Sequence, residues 1–346
     1  MDATTIAVDL AKHVFEVAIE DARGQVSRRR LTRQQFARFL RDHTPAQLVM
    51  EACGSAHYWG RTAQAYGHRV QLLPPQYVRP FVRRQKTDRT DVTGLLDARQ
   101  RSEMPTVAVK TVAQQEVLAL HRVRAQWMAT RTARINTLHG LLAEHGVTFA
   151  AGVRQLGRRA GQLLADPDTP IPLSLRRALL TLLEEIRDLE RRAEAVEREL
   201  RAVAHSDPAM ERLQSIPGVG LLTATALVGS VGQIHGFKRA RRFASWLGLT
   251  PREYSSGSHR SLGHITKAGD GYLRRLLVHG ARAVLAAARR RAASQRPLGA
   301  LQHWAVQLAE RRGPNRATVA LANKLARIVW AVWTRDQVFT GRPIAA

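Results

Sequence analysis

The sequence contains a single cysteine, Cys53, among its 346 residues. One thiol cannot form an intramolecular disulfide, and a zinc site built from several cysteines is excluded. No apolar run approaches the ~20 residues that a membrane-spanning helix needs; the longest candidate is the glycine-punctuated stretch from Leu221 to Gly232. The first residues lack the basic and apolar regions of a signal peptide. We therefore expect a reduced, cytoplasmic protein with no membrane partner.

Acidic residues are also scarce, because 28 Asp and Glu stand against 54 Lys and Arg, for a formal net charge of +26. Such a surplus favours a polyanionic partner, and nucleic acid is the natural one because binding releases the counterions of its phosphates. The charge is densest between residues 236 and 296, where 14 basic residues accompany only Glu253 and Asp270. Hydrophobic residues make up 45% of the chain, enough to bury cores, and this length predicts two or more domains.

Strand and helix signals alternate over the first hundred residues. Apolar alternation predicts five strands, at about 4–10, 14–19, 26–29, 47–50 and 70–73. Helices are expected after the capping residues Thr32 and Thr87 and over 57–66. This order is that of a ribonuclease H-like (RuvC-like) α/β sheet, which we expect for residues 1–108.

Helical patterns dominate the rest of the chain. A basic helix is predicted from Val112 to Glu144, followed by a linker or insert at 146–172. The next helix carries an apolar seam at heptad spacing, formed by Leu182, Ile186, Leu189, Ala193, Val196, Leu200 and Val203. The seam indicates a coiled coil, within one chain or between two, or equally an ordinary helical hairpin. We expect a coiled-coil region at 109–208 and a C-terminal helical domain at 209–346.

Four carboxylates are candidates for a metal site. Asp9 lies in an otherwise apolar strand, where an unpaired carboxylate is costly, and Glu51 ends another strand. Asp88 and Asp91 stand three apart at the start of a helix and share one face. Four such oxygen ligands suit Mg²⁺ or Mn²⁺. Each acid alone also has an ordinary explanation as an edge residue or a first-turn acid that the helix dipole favours.

Serine and basic residues suggest phosphate chemistry in the C-terminal half. The turn Ser255-Ser256-Gly257 lies among cations that would neutralise a phosphate in front of a serine hydroxyl. Ile216 to Gly220 resembles a helix-hairpin-helix turn, in which glycines let amides approach a phosphate. The predicted nucleic-acid-binding residues are Arg252, Arg260, Lys267, Arg274, Gly218, Gly220, Arg122, Arg124, Arg131 and Arg134.

These motifs together resemble the DEDD transposases of insertion sequence family 110, in particular its 1111 subgroup. The resemblance is carried by the four acids with the stretch Lys86 to Asp91, and by later blocks in the family's order. Those blocks are Ile216 to Gly220, Leu247 to Arg252, Ser255 to Gly257, Ile265 to Lys267 and Leu273-Arg274.

The resemblance implies a bacterial, nucleoid-associated recombinase guided by a noncoding bridge RNA that pairs with donor and target DNA. It implies a homo-oligomer, as a dimer or as a tetramer in the synaptic complex, with a metal site at Asp9, Glu51, Asp88 and Asp91. The family's nucleophilic serine falls on Ser256, with Ser255 as the alternative. Two rival functions are a RuvC-type, metal-dependent endonuclease of branched DNA and a non-catalytic nucleic-acid-binding scaffold.

Overall fold

A computed structural model of the chain describes residues 4–82, 87–101, 103–149 and 153–341, with the backbone alone for 153–158. The chain divides into two units, Met1–Gln115 and Glu116–Ala346, and each is described by itself. In the part of the chain that is described, no helix has the length and apolar character needed to cross a membrane.

The first unit is built on a five-stranded mixed sheet. Its strands are β1 (Thr5–Asp9), β2 (Val14–Glu20), β3 (Val26–Thr32), β4 (Gln47–Glu51) and β5 (Arg69–Leu73). Its helices are α1 (Arg33–Asp42), α2 (Ala56–Ala65), α3 (Pro75–Val78) and α4 (Asp88–Arg99). The strand order is β3-β2-β1-β4-β5; β2 runs antiparallel to β1 and β3, while β4 runs parallel to β1 and β5. The predicted α/β sheet is therefore confirmed.

Alternation along the strands divides the core of this unit into two layers. On one face, Ile6 and Val8 pack with an aromatic group in which the rings of Phe15 and Phe36 lie 5.3 Å apart, edge to face. The opposite face carries the small residues Ala7 and Ala18, buried against α4. Small side chains let a helix approach a sheet closely, so α4 lies directly on β1, β2 and β4.

The predicted capping residues begin the two helices as expected. Thr32 accepts a hydrogen bond from the N–H of Gln35, and the Gln35 side chain accepts one from the N–H of Thr32. Thr87 and Thr90 form the same reciprocal arrangement at the start of α4. Such capping satisfies backbone donors that the first helical turn would otherwise leave unpaired.

The second unit is mostly helical. It contains α5 (Val112–Ala143, which begins just before the unit boundary), α6 (Val153–Ala165), α7 (Leu173–Ser206), α8 (Pro208–Gln214), α9 (Leu221–Val231), α10 (Ala240–Trp246), α11 (Gly271–Ala293), α12 (Ala300–Arg312) and α13 (Pro314–Thr334). Two short strands, β6 (Pro251–Glu253) and β7 (Leu262–Ile265), form a hairpin. The range predicted as linker contains α6, because its apolar residues Ala160 and Leu164 are buried against Leu138 and Leu183.

The apolar seam of α7 is buried within the chain. Ion pairs join α7 to α5 in antiparallel register: Arg124 with Glu197, Arg131 with Glu190 and Arg134 with Glu185. Leu183 and Ala204 are buried at the ends of the seam, where the spacing had pointed to Leu182 and Val203. The structure thus favours helix packing inside one chain, and a coiled coil between chains is not confirmed.

The middle and C-terminal helices share one core. Val117 of α5 and Leu200 of α7 pack in the same cluster as Leu227, Leu277 and Leu325 from α9, α11 and α13. One apolar core therefore continues across residue 208. The domain boundary predicted there stays a prediction.

A close glycine contact holds the turn before α9 against α11. A Cβ on Gly280 would lie 1.9 Å from the carbonyl oxygen of Gly218, and Gly218 itself has a φ of +86°. At Gly280 a side chain would not fit against the neighbouring backbone. At Gly218 a side chain would not fit either, and the backbone conformation also favours glycine.

We expect Gly280→Ala to lower the free energy of unfolding of the chain by about 3 kcal/mol or more, because the backbones must separate. Urea unfolding followed by circular dichroism measures this change. Gly140→Ala is the matched control, because Gly140 lies in α5 with open space at its Cβ position; it should gain up to about 1 kcal/mol from helix propensity. Equal stability of the two variants would contradict the contact.

Candidate active site

The parallel pairing of β1 with β4 brings two of the predicted acids together. Val8 is in register with Met50, so the next residues, Asp9 and Glu51, end neighbouring strands side by side. Alternation places both on the face that α4 covers, since Ala7 and Val49 point there. Burial raises the pKa of the Cys53 thiol, and the charges of Glu51 and Asp9 raise it further. The carboxylates of Asp9 and Glu51 therefore both lie near Cys53 at this edge of the sheet.

The direction of α4 carries its acidic first turn toward the same edge. At the far end of the helix, Arg99 forms an ion pair with Glu20, which is in register with Thr5 at the start of β1. One of the guanidinium nitrogens of Arg28, which is level with Ala7 midway along β1, donates to the Thr93 hydroxyl at 2.9 Å. The helix therefore runs opposite to β1.

The remaining rise of α4 places its first turn at the level of the strand ends. Between Thr93 and Asp88 the helix advances ~7.5 Å, at ~1.5 Å per residue. From Ala7 to Asp9 the strand advances ~6.7 Å. Asp88, which is exposed, and Asp91, which is half-buried, are thus at the level of Asp9 and Glu51.

The chemistry of this donor set fits a divalent cation, because carboxylate oxygens are hard ligands of the kind that Mg²⁺ and Mn²⁺ prefer. Over the described ranges, however, no three His, Cys, Asp or Glu side chains converge as a group that could hold a metal ion. Lys86, which begins the sequence motif, lies outside those ranges. The elements therefore align the four acids, and their joint ligation of a metal stays a prediction.

The serine turn forms the tip of the β6–β7 hairpin. Glu253 pairs with Leu262, Tyr254 donates its N–H to the Ser261 carbonyl, and Ser256 and His259 exchange backbone hydrogen bonds. Gly257 opens the two-residue turn with a φ of +54°, a conformation suited to glycine. Ser256 is consequently the last paired residue before the turn, and it is exposed.

On one face of this hairpin, the side chains of Glu253, Ser255 and Arg260 hydrogen-bond to one another. The Ser255 hydroxyl donates to Glu253 Oε1 at 2.8 Å, and Arg260 Nε donates to the same oxygen at 3.2 Å. The hydrogen bond from Ser255, with the positive charge of Arg260, lowers the pKa of Glu253 below its usual range. Glu253 had no predicted role, although its place two residues before Ser255 puts both on one strand face.

Ser256 lies on the opposite face. Alternation in the regular ladder that begins at Glu253 places its side chain with that of Tyr254, away from the Glu253 carboxylate. Within the described chain, its hydroxyl makes no hydrogen bond. Of the two candidate serines, Ser255 donates its hydroxyl hydrogen to Glu253, and the Ser256 hydroxyl hydrogen is not donated to a described residue.

The other predicted phosphate-binding residues differ in how available they are. Lys267 is exposed and has a left-handed backbone (φ +55°), a conformation that costs about 1 kcal/mol or more for a residue with a Cβ. Arg274 is engaged internally, because its guanidinium group donates to the carbonyls of Leu247 and Gly269. Arg252 makes one long hydrogen bond within the described ranges, 3.5 Å to the Thr266 carbonyl.

The two glycines predicted to approach a phosphate have different surroundings. Gly218 packs against Gly280, so its missing side chain is explained by the contact inside the fold. Gly220 precedes α9, and a Cβ there would meet open space. Phosphate binding at this turn stays a prediction.

On α5, the structure gives three of the four predicted arginines an internal role. Arg124, Arg131 and Arg134 are engaged in the ion pairs with α7, and their binding of nucleic acid stays a prediction. Arg122 is exposed. The signal for these pairs was present in the glutamates that flank the apolar seam of α7.

His121, on the same helix, is buried and neutral. Thr225 donates its hydroxyl hydrogen to the Leu221 carbonyl, so it accepts from His121 Nε2 at 2.9 Å, and Tyr272 donates to Nδ1 at 2.9 Å. Burial, with the charge of Arg124, lowers the pKa of His121 to about 4. The residue therefore links α5, α9 and α11 and adds no charge to a nucleic-acid surface near neutral pH.

Comparison with known proteins supports the combination of sheet, helices and motifs. The family model for DEDD transposases of IS110 elements matches residues 6–146, and the family described as Transposase IS116/IS110/IS902 matches residues 210–296. A probable family 20 transposase of Pseudomonas aeruginosa is 39% identical over 98% of this chain and 99% of its own length. The transposase of insertion sequence element IS1111A from Coxiella burnetii is 40% identical over 98% and 92%, respectively. The transposase of element IS1328 from Yersinia enterocolitica is 36% identical over 98% and 99%.

The mixed sheet and the helical remainder fit a ribonuclease H-like DEDD transposase, a class of DNA-processing enzyme. The chain belongs to the IS110 family of insertion-sequence transposases.

We expect Asp9→Asn and Glu51→Gln each to weaken Mn²⁺ binding by roughly tenfold or more, since each removes a charged oxygen ligand. Electron paramagnetic resonance of the bound ion measures the affinity, and DNA cleavage is followed in parallel. Asp97→Asn is the matched control, because Asp97 lies further along α4, away from the strand ends. Undiminished metal binding and cleavage in Asp9→Asn would show that the metal site is elsewhere.

Proposed function

We propose that this transposase cleaves and exchanges DNA strands through a phosphoserine intermediate on Ser256, guided by a bridge RNA that its element encodes. The observation that carries the proposal is the asymmetry of the hairpin: Ser255 is bonded to Glu253, while Ser256 has an exposed, undonated hydroxyl at the tip. The charge of the surrounding segment supports a phosphate substrate.

The chemistry balances without an external energy source. Ser256 Oγ attacks the scissile phosphorus and loses its proton to solvent, the bond from phosphorus to the leaving oxygen breaks, and that oxygen takes up a proton. A hydroxyl of the exchanged strand then attacks the phosphoserine, which restores the serine and reseals the backbone. Arg252 and Lys267 would offset the charge that develops on the phosphate.

The acids have a separate part in the proposal. Asp9, Glu51, Asp88 and Asp91 would hold a divalent cation, and such an ion supplies Lewis-acid polarisation of a phosphoryl oxygen when bound. The alignment of α4 with the ends of β1 and β4 supports this assignment. We place Mg²⁺ first and Mn²⁺ second, on the hardness of four oxygen ligands.

Exposed arginines on α11 support a nucleic-acid backbone as the ligand of the second unit. Arg275, Arg282 and Arg289 are exposed and recur every seven residues, so they follow one side of the helix at intervals of ~10.5 Å. In the part of the chain that the structure describes, none of the three forms an ion pair with a carboxylate. Donor DNA, target DNA and the bridge RNA share the phosphate chemistry that this row fits.

The same acid cluster is compatible with a second function, a RuvC-type endonuclease in which metal-activated water cuts branched DNA. In that case the serine hairpin takes no part in the chemistry. A non-catalytic scaffold would bind nucleic acid without cutting it. Both alternatives are outcomes of the serine experiment.

We expect Ser256→Ala to abolish the covalent protein–DNA adduct and strand exchange, whereas Ser255→Ala should retain both, because Ser255 only bonds Glu253. The adduct is trapped on DNA spanning the ends of the element with a phosphorothiolate at the cleaved position, and the modified residue is mapped by mass spectrometry. Ser258→Ala, in the same exposed turn, is the matched control. Cleavage that survives in Ser256→Ala would favour the water-dependent nuclease, and the absence of cleavage in every form would favour the scaffold.

We expect the purified protein to carry one specific transcript of its own element, released as salt rises because phosphate contacts dominate affinity. Sequencing of the co-purified RNA identifies the transcript. Affinity measured against salt concentration should fall steeply, and replacing Arg282 with Gln should reduce the slope of log K against log salt by ~1. Recovery of random cellular RNA fragments, or a flat salt response, would contradict the RNA proposal.

A further inference from the structure

The open face of the serine hairpin carries an exposed aromatic ring. Tyr254 is 64% exposed, among the most exposed large hydrophobic side chains in the described ranges. Regular pairing from Glu253 to Ser256 places it on the face of Ser256, and Arg252 lies on the same side because a Cβ on Gly263 would be near both residues. A cation, a ring and the hydroxyl of the proposed nucleophile therefore follow one another along this face.

On the opposite strand, β7, the residue that faces the Tyr254 ring is Gly263. A Cβ on Gly263 would lie 3.1 Å from Cε2 of Tyr254 and 4.0 Å from Cβ of Arg252. Gly263 is not among the glycines with positive φ, so its backbone conformation does not require glycine. A side chain at this position would instead push the Tyr254 ring aside by a few tenths of an ångström or more, so glycine lets the ring lie close against the opposite strand.

A ring held in this way is suited to one kind of ligand. One edge of the Tyr254 ring lies against Gly263, and much of its surface is open to solvent. Burial of an aromatic ring would stabilise the fold, so this exposed ring contributes little to stability. In proteins that bind single strands, exposed aromatic rings beside cations stack on nucleobases while the cations contact the backbone. Residues two apart on a strand are ~6.7 Å from one another, a distance on the scale of one nucleotide.

We propose that Tyr254 stacks on the nucleobase next to the phosphate that Ser256 attacks, and that Gly263 serves to seat its ring. The assignment rests on the proposed serine chemistry for its place in the reaction. The stacking itself is a binding property that can be measured without cleavage. It gives the hairpin a means of holding an unpaired nucleotide so that the adjoining phosphate faces the hydroxyl.

The test compares two probes that differ only in their bases. Binding of the full-length Ser256→Ala protein, which cannot form an adduct, is measured with a 12-nucleotide thymidine single strand and with an abasic strand of equal length and charge. We expect the intact hairpin to prefer the thymidine strand. Tyr254→Leu should reduce that preference by about fivefold or more, the effect of losing one base stack, while Tyr254→Phe keeps it. Arg252→Gln should weaken binding of both strands alike.

Two further variants keep the proposal falsifiable if Tyr254→Leu disturbs the hairpin. Gly263→Val adds a Cβ 3.1 Å from the ring and two methyl groups beyond it, so we expect the ring to shift while Tyr254 remains and the preference for bases to fall here as well. Tyr66→Leu removes an exposed tyrosine at the end of α2 and should change nothing. Unchanged base preference in both Tyr254→Leu and Gly263→Val would overturn the stacking proposal, and the serine adduct in the Ser256 protein would still report on the proposed function separately.

Discussion

The parallel pairing of β1 with β4 is the constraint on which the first unit depends. It sets Asp9 beside Glu51 at one sheet edge, and it leaves the small residues Ala7 and Ala18 on the face where α4 packs. The ion pair of Arg99 with Glu20 fixes the direction of that helix. The same edge therefore carries two carboxylates side by side, and the first turn of α4 is directed toward it.

In the second unit, ion pairs join α5 to α7, and a glycine contact joins the turn before α9 to α11. Carboxylates of α7 neutralise three arginines of α5, so a helix that is strongly basic by composition is bonded inside the fold. The arginines that stay exposed on α11 present their charge at regular intervals. Net charge therefore indicates the class of partner, while the pairing of individual groups decides which surface can receive it.

The serine hairpin shows how a short ladder separates two chemical roles. Alternation places Glu253 and Ser255 on one face, where they satisfy each other, and Tyr254 and Ser256 on the other. Two adjacent serines of the same chemistry thus differ in availability because of a twofold period in the backbone. An exposed ring beside the available serine is consistent with a surface that receives an unpaired nucleotide.

The sequence by itself determined the five strands and three longer helices of the first unit, the capping residues Thr32 and Thr87, and the family to which the chain belongs, because these depend on local periodicity and on motifs. It could not decide whether the α7 seam closes within the chain, which arginines are paired, or that the range 146–172 contains a packed helix. Those properties depend on contacts between residues far apart in the chain. That the Ser255 hydroxyl is bonded to Glu253 is likewise a property of the tertiary structure, because it depends on where each side chain points along the hairpin.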